Sequence, residues 1–246
     1  MDEESSDKVN IEKSPKKSIA DLFNDLPYRH YPSRHMIIYQ GDKIEYVYYI
    51  ISGYVRVYNI TNKGNERTLV ILGPGESMPI VQSEEAQYFY DALTDVEAAY
   101  GSYEQIIERF LEHKEYMEVA REAGVQLMQR MLEQLEVVSY DNANDKISKA
   151  LEFLAKYYGK GDADYRTINF KLTHQELANL VNLTRETVTT VIHRLVRQQA
   201  IDLSDGGYIS VHISLDKVNP DEEPKNLRTK LSKVKAGLIP NPEMSP

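Results

Sequence analysis

Two short amphipathic segments lie next to each other between Thr173 and Gln199. Thr173 and Glu176 have the spacing of a capping box, which satisfies free amide groups at the start of a helix. Asn182 falls at the turn between the segments, and asparagine tolerates the left-handed backbone that a tight turn needs. Thr184 is then the expected N-cap of the second helix. The apolar side chains recur at helical spacing on one face of each segment: Leu177, Ala178, Leu180 and Val181, then Val188, Val191, Ile192, Leu195 and Val196.

The outward face of the second predicted helix is polar from its first turn. Arg185 and Glu186 open this helix, and Thr189, Thr190 and His193 follow on or near the same face. In a helix-turn-helix unit, the start of the second helix meets base edges in the DNA major groove. The alternative is an ordinary helical hairpin with a solvated polar face. The tight spacing and the polar cluster at the helix start favour DNA reading.

The composition excludes several classes of protein. The chain has no cysteine, so disulfides, thiolate zinc sites and cysteine-ligated iron–sulfur clusters are excluded. No apolar run approaches the ~20 residues that span a bilayer, and residues 1–17 lack the apolar core of a signal peptide. These observations predict a cytoplasmic protein. The net charge of −9 opposes phosphate binding, but residues 69–108 hold eight acids and no base, so the helical head is less acidic than the body.

Short apolar segments separated by turn residues occupy residues 31–101. Their spacing of roughly 8–12 residues predicts an antiparallel β-sandwich or barrel, in a domain placed at residues 19–101. The 18 tyrosines of the chain suit strands with one half-wet face. Residues 1–18 are charged and have few side chains able to form a core, which predicts disorder. The predicted strands are residues 36–39, 46–51, 54–60, 67–72, 88–93 and 96–100.

No strong turn signal interrupts residues 102–140, which predicts one long helix. Two apolar stripes with the 3,4 spacing of packed helices run along it, and they suggest two burial partners: the sandwich and a second copy of the chain. Small side chains on one stripe favour a parallel homodimer, while packing wholly within one subunit is the alternative. The predicted dimer seam is Met117, Ala120, Gly124, Leu127 and Met131, and the second stripe is Val125, Met128, Leu132 and Leu135.

The C-terminal domain is predicted to span residues 141–215. An amphipathic helix at 141–158 and a strand at 166–172 precede the two short helices. Segments 200–203 and 208–213 flank Asp205-Gly206-Gly207, which is a hairpin signal. The expected fold class is therefore α+β: an N-terminal antiparallel β-sandwich, a long dimerisation helix and a C-terminal winged helix-turn-helix. Residues 216–246 form a charged, proline-containing tail, expected to be extended or mobile.

Six short motifs occur in a fixed order: QGD at 40–42, YYIISG at 48–53, GPGE at 73–76, ALTDVE at 92–97, LTHQELA at 172–178 and RETV at 185–188. In this order the chain resembles transcription regulators of the cyclic-AMP receptor protein/FNR (Crp/Fnr) family over residues 31–213. The resemblance implies a jelly-roll sandwich like that of cyclic-nucleotide-binding domains. It also implies a homodimeric, sequence-specific regulator of transcription, not an enzyme, that binds double-stranded DNA at a pseudo-palindromic operator. It leaves contact with RNA polymerase open.

The family's DNA contacts carry over to the matching positions of this chain. Arg185, Glu186, Thr189 and Thr190 match positions that read or adjoin bases. Arginine can bridge guanine O6 and N7, and glutamate can accept from cytosine N4. An arginine is common in the family where this chain has Thr190, so the inner part of each half-site should differ from the usual motif. The implied contacts to the DNA backbone are Thr173, His174, Gln175, Thr184, Thr187 and His193.

The predicted sensor domain departs from the family at its ligand site. Gly75 and Glu76 are present, but Ala86, Gln87 and Tyr88 stand where the family holds the cyclic phosphate with arginine and serine or threonine. Residues 69–108 supply no cation, and a buried phosphate without a cationic partner would be poorly bound. We therefore predict no binding of cyclic nucleotides and no cofactor.

The identity of any effector stays open at this point. Met131 and Leu132 stand where polar side chains of the family's long helix meet the base. The aromatic run at 88–90 either lines a pocket for an apolar ligand or fills the sandwich core. The pocket candidates are Gly75, Glu76, Tyr88 and Tyr90.

The chain shows no catalytic or metal-binding signature. Its six histidines are scattered and lack a His-x-His ligand pair. Haem ligation by His30, His35 or His113 is a minor alternative. A second reading of the whole chain is a small-molecule-sensing sandwich whose helical head binds another protein.

Overall fold

The computed structural model describes residues 18–80, 84–113, 115–162, 165–204 and 206–212. The expected disorder of residues 1–18 falls almost wholly outside these ranges, as does the C-terminal tail. The elements in chain order are a 3-10 helix at Ile19–Phe23, β1 (Tyr28–Tyr31), β2 (Met36–Ile38), β3 (Tyr46–Ser52), β4 (Val55–Ile60), β5 (Glu66–Leu72), β6 (Ser77–Met78), β7 (Phe89–Ala92), β8 (Val96–Ser102), α1 (Tyr103–Glu112), α2 (Glu115–Ser139), α3 (Ala143–Tyr158), β9 (Gly159–Gly161), β10 (Tyr165–Ile168), α4 (His174–Val181), α5 (Arg185–Arg197), β11 (Ile201–Leu203) and β12 (Ile209–His212).

The N-terminal domain is an antiparallel sandwich, as the strand pattern predicts. Its two sheets have the strand orders β1-β8-β3-β6 and β2-β7-β4-β5. Ile50 of β3, Val57 of β4 and Val70 of β5 are fully buried in its core. Full burial of such a side chain contributes about 1.5–3 kcal/mol. Strands β1 and β6 were not predicted: β1 reads Tyr-Arg-His-Tyr with its first three residues exposed, and β6 has only two residues.

The segment predicted as one long helix is two helices, so this part of the prediction is wrong. Ser102 starts α1 with a capping box whose partner is Gln105. His113 then leaves the helical backbone at φ −127° and ψ 75°, without a glycine or proline to mark the break. The turn brings Tyr116, at the start of α2, into a small buried cluster that includes Phe23 and Ile106. Burial of this cluster is the physical gain that accompanies the interruption.

The C-terminal domain has the predicted winged arrangement. Helices α3, α4 and α5 pack around one core, and the sheet beside them has the order β11-β12-β10-β9. Strands β11 and β12 pair antiparallel, with Ile201 opposite Val211, and form the predicted hairpin. Asp205 at its tip lies outside the described residues. The three-residue strand β9 pairs with β10 and was not predicted.

The winged head packs directly against the sandwich. The Tyr158 hydroxyl of α3 donates a hydrogen bond of 2.7 Å to the carbonyl oxygen of Ile71 in β5. Tyr54, between β3 and β4, lies 4.7 Å from Phe170 between ring centroids. Ile71 and the core of the head belong to one continuous hydrophobic cluster. The orientation of the head is thus fixed by apolar packing as well as by hydrogen bonds.

Candidate nucleic-acid interface and sensor site

The two head helices begin and end as their sequence dictates. Thr173 Oγ1 accepts from the Glu176 amide at 3.1 Å, and a Glu176 carboxylate oxygen accepts from the Thr173 amide at 2.7 Å. Asn182 has φ 58° and ψ 42°, the left-handed conformation expected at the turn. Thr184 Oγ1 accepts from the amide of Thr187 at 3.3 Å and caps α5. The predicted apolar faces of both helices are buried.

The first turn of α5 is open to solvent in this chain. Thr184, Arg185, Glu186 and Thr190 are exposed, and Thr187 is half-buried. The amide of Glu186 itself and then Thr184 lower the pKa of the Glu186 carboxyl below its usual value, so this group is a charged acceptor at neutral pH. The helix start therefore presents an acceptor and a forked donor side by side, as reading of base edges requires.

The two threonines of the predicted reading set bond to their own helix. Thr189 Oγ1 donates to the Arg185 carbonyl at 2.8 Å, and Thr190 Oγ1 donates to the Glu186 carbonyl at 3.0 Å. Each hydroxyl has a single proton. Toward an outside partner these two hydroxyls therefore offer acceptor lone pairs and a methyl group.

The start of α4 lies beside the middle of α5. His174 Nδ1 is 2.7 Å from Thr189 Oγ1, and the rings of His174 and His193 are 6.4 Å apart. Burial, followed by the charges of His193 and Arg185, lowers the pKa of His174. Gln175 is exposed. Of the predicted backbone contacts, the structure thus brings His174 of α4 and His193 of α5 together. Thr173 and Gln175 lie at the start of α4, and Thr184 and Thr187 lie at the start of α5.

A buried polar network between α4 and the sandwich was not predicted from the sequence. Asn179 on α4 is buried, and its Nδ2 donates to Oε2 of Glu66 in β5 at 3.0 Å. Its Oδ1 accepts from Nε2 of Gln175 at 2.8 Å. The buried guanidinium of Arg56 donates to the same Glu66 oxygen at 2.6 Å and to both carboxylate oxygens of Asp91. Burial lowers the pKa of Arg56, but Asp91 and then Glu66 outweigh it and raise the pKa overall.

The apolar stripes of α2 differ in what they meet. Leu127 packs against the sandwich core, and Gly124 has open space around it. Met117, Met128 and Leu132 are 62%, 62% and 60% exposed. The side facing the sandwich and the head is therefore neither predicted stripe. Apart from Leu127, it includes Arg130, Glu133, Gln134 and Val137, three of which are polar. Ala120 is half-buried, while Val125, Met131 and Leu135 are exposed.

A cation does reach the predicted ligand site, and it comes from α2. One Glu76 carboxylate oxygen accepts from Nη2 of Arg130, and the other accepts from the Gly73 amide at 2.8 Å. The Arg130 side chain is 11% exposed, and its guanidinium lies 5.6 Å from the Tyr158 ring centre. The expectation that this site lacks any cation is therefore wrong. That expectation considered only the cationic residues near Glu76 in the sequence, whereas Arg130 is 54 positions away.

The aromatic candidates lie mostly inside the sandwich. Tyr90 is 1% exposed, belongs to the core and accepts a hydrogen bond from the Ile80 amide at 3.1 Å. Burial raises its pKa to about 12. Tyr88 is half-buried against the same core, and Gly75 has φ +95° in the turn before Glu76. Tyr90 thus fills the core rather than lining an open pocket.

The described ranges contain neither a metal-binding cluster nor a membrane-spanning helix. Within them, no group of three or more histidine, aspartate or glutamate side chains could hold a metal ion. His30, His35 and His113 are exposed. No helix in the described part of the chain is both long and apolar enough to cross a bilayer.

Two protein-family models match the chain in the order that the fold shows. The cyclic nucleotide-binding domain matches residues 28–113, and the Crp-like helix-turn-helix domain matches residues 146–213. A cyclic AMP receptor protein from Thermus thermophilus is 32% identical over 187 residues, which are 72% of this chain and 81% of that protein. The chain belongs to the Crp/Fnr family of transcription regulators. It is accordingly a regulator of transcription with a helix-turn-helix DNA-binding domain.

One further curated protein and two solved structures are similar to this chain at lower identity. A global nitrogen regulator from Nostoc is 24% identical over 200 residues, covering 76% of this chain and 89% of that protein. The structure of FixK2 from Bradyrhizobium japonicum matches with a TM-score of 0.65 at 17% identity, over 79% of this chain and 97% of that one. A CooA mutant from Carboxydothermus hydrogenoformans matches with a TM-score of 0.66 at 18% identity, over 83% and 90% of the two chains. These structural matches support the fold.

Proposed function

We propose that this Crp/Fnr regulator acts in the cytoplasm as a homodimer that reads a pseudo-palindromic operator with the first turn of α5. The observation that carries the proposal is the solvent-exposed Arg185–Glu186 pair on a capped helix start. The guanidinium matches guanine O6 and N7, and the ionised carboxylate matches cytosine N4. Each matched pair would give about 1–3 kcal/mol of discrimination between bases.

The operator is tested by selection from a randomised duplex pool followed by titration. We expect two inverted half-sites with centres about 34–36 Å apart. The double variant Arg185→Ala/Glu186→Ala should lose preference for the selected duplex over random sequence while keeping its fold. Lys43→Ala/Glu45→Ala removes one charge of each sign from an exposed pair on the sandwich and should change nothing. Equal affinity of the unaltered protein for every duplex would refute specific reading.

The same experiment separates DNA reading from the alternative of a protein-binding head. A head that serves only as a protein-interaction module would show no selection of any duplex from the pool. It would also leave the double variant indistinguishable from the parent in duplex binding.

The exposed stripe of α2 supports the dimer. Met117, Met128, Leu132 and Leu135 place large apolar side chains in solvent along one helix, and such patches mark interaction surfaces. A self-complementary helix face pairs naturally with a second copy about a two-fold axis. Sedimentation equilibrium should give a dimer for the parent chain and a monomer for Leu132→Glu. Ile60→Glu, at an exposed apolar position on β4, is the matched control and should stay dimeric.

We also propose that the sensor site does not take up cyclic nucleotides. Arg130 is the only cation found at Glu76 among the described residues, and its charge is already balanced by that carboxylate. To bind Arg130, a cyclic phosphate would have to displace the Glu76 carboxylate. It would also have to lose its own hydration. Tyr90 and Met78 also occupy the sandwich interior. Calorimetric titration with cyclic AMP and cyclic GMP should give no binding heat, and micromolar uptake of either would contradict this part.

A further inference from the structure

The bond between His174 and Thr189 fixes where the histidine carries its proton. Thr189 Oγ1 donates a hydrogen bond of 2.8 Å to the Arg185 carbonyl oxygen, which can only accept. The same oxygen lies 2.7 Å from His174 Nδ1. Since the hydroxyl has no second proton, it accepts from His174, and the hydrogen is on Nδ1. In the neutral ring Nε2 is then a bare lone pair.

This tautomer is the wrong one for a DNA backbone. Phosphate oxygens are anionic and only accept hydrogen bonds, so they need an N–H donor. The neutral His174 ring directs its only N–H to Thr189, and its free nitrogen would repel a phosphate oxygen. The charged ring carries hydrogens on both nitrogens. It can keep the bond to Thr189 and donate to phosphate from Nε2.

Groups near His174 favour the neutral form of its ring in the DNA-free protein. Burial first, and then the charges of His193 and Arg185 on α5, lower the pKa of His174. On its own helix the nearest acid is Glu176, whose carboxylate is engaged by the amide and hydroxyl of Thr173. The positive end of the helix dipole at the start of α4 acts in the same direction. A phosphate brought close would reverse this balance by favouring the charged ring.

We infer that His174 binds a DNA phosphate only as the imidazolium, so that each protomer takes up one proton when it binds DNA. This inference rests on the proposed function, because it needs the start of α4 to lie against the DNA backbone. DNA affinity should then rise as the pH falls. The limiting steepness is about tenfold per pH unit for each protomer, one proton being linked to each contact.

The test is fluorescence anisotropy between pH 5.5 and 8 at constant ionic strength. Two duplexes serve as probes. One is selected from the randomised pool by the full-length protein, and the other has a random sequence. Both should bind more tightly at low pH, because a phosphate contact carries no sequence information. At low pH the salt dependence should also steepen, by about 0.9 in logarithmic slope for each added phosphate contact.

The variants assign the proton to one ring. His174→Gln should flatten the pH dependence. Thr189→Ala should reduce it as well, because the freed neutral ring can place its hydrogen on Nε2. His113→Gln, which changes an exposed histidine at the end of α1, should keep the parental steepness. Heteronuclear spectra of the free protein give a readout independent of DNA, and should show the Nδ1–H tautomer of His174.

The outcomes separate this inference from the proposed function. Tight DNA binding with no pH dependence, or a dependence that disappears in His193→Gln instead, overturns the role of His174 and leaves DNA reading intact. An Nε2–H tautomer in the free protein also overturns it. Failure to bind either duplex at any pH overturns both proposals.

Discussion

Asn179 of α4 donates a hydrogen bond from Nδ2 to Oε2 of Glu66 in β5, at 3.0 Å and across 113 positions of sequence. It joins the helix that carries Gln175 to the sandwich that carries Arg56 and Asp91. A buried asparagine on a helix needs partners, because an unpaired polar group in the interior is costly. Here one partner belongs to the other domain, so the contact is made only while the head is docked.

The network should lose stability in a graded order. Asp91→Ala removes the carboxylate that accepts two hydrogen bonds from the buried Arg56 guanidinium. This change should lower the free energy of unfolding by about 3–5 kcal/mol. Asn179→Ala removes one neutral donor and should cost about 1–2 kcal/mol. Asp25→Ala breaks an exposed pair with Arg109 and serves as the control, with little measurable change expected. Urea titration measures all three, and equal losses for Asp91→Ala and Asp25→Ala would contradict the assignment.

Thr190 should set the base preference of the inner half-site. Its hydroxyl proton is committed to the Glu186 carbonyl, so it offers an acceptor and a methyl group to the groove. Donor edges such as adenine N6 or cytosine N4, or a thymine methyl, should therefore be favoured there. Thr190→Arg should shift that position to guanine, and selection from a randomised duplex pool measures the change. Thr190→Val keeps the methyl group and should keep a thymine preference. An unchanged operator in the arginine variant would show that this side chain does not reach the bases.

Tyr90 should make the fold sensitive to alkali. Burial raises its pKa from 10.0 to about 12, so the folded state holds its proton more tightly than the unfolded chain. The stabilisation is complete below about pH 10 and is lost as the pH rises toward 12. By pH 11 the loss should be about 1.4 kcal/mol. The difference in unfolding free energy between the parent and Tyr90→Phe should shrink by this amount between pH 9 and 11. Tyr28→Phe, at a 70% exposed position, should show a constant difference.

Glu76 and Arg130 should stabilise the protein as a coupled pair. Glu76→Gln or Arg130→Met alone leaves a largely buried charge without its counter-ion, and each should cost about 2–3 kcal/mol. The double variant should cost less than the sum of the two by at least about 1 kcal/mol. Thermal and urea unfolding of the four proteins gives this coupling directly. Strict additivity would mean that the two side chains do not interact in solution.

The head helices were predictable because their signals are local. The capping box of Thr173 with Glu176 spans three residues, and the left-handed Asn182 needs no distant partner. The buried faces of α4 and α5 repeat at a spacing that hydrophobicity alone reveals. The six sandwich strands that were predicted, β2, β3, β4, β5, β7 and β8, follow from turn residues and apolar runs in the same way.

What could not be predicted depends on contacts between distant residues. Arg130 and Gln134 face inward on α2, where periodicity assigns polar side chains to solvent. The break at His113 is not marked by a glycine or proline. It accompanies the burial of Tyr116 against residues that are distant in the sequence. The bond from Asn179 to Glu66 joins two polar residues that look solvated when each is read in its own segment. Charge counted along the chain likewise missed the cation beside Glu76.

The apolar stripe on α2 has a consequence for how much of this protein a cell must make. If pairing through Met128, Leu132 and Leu135 precedes operator reading, two molecules must meet before one site is filled. Below the pairing constant, halving the supply of chain then lowers the number of competent readers about fourfold, by simple mass action. The genes that the protein governs would then respond to its concentration with a threshold, which synthesis and degradation of the chain would set.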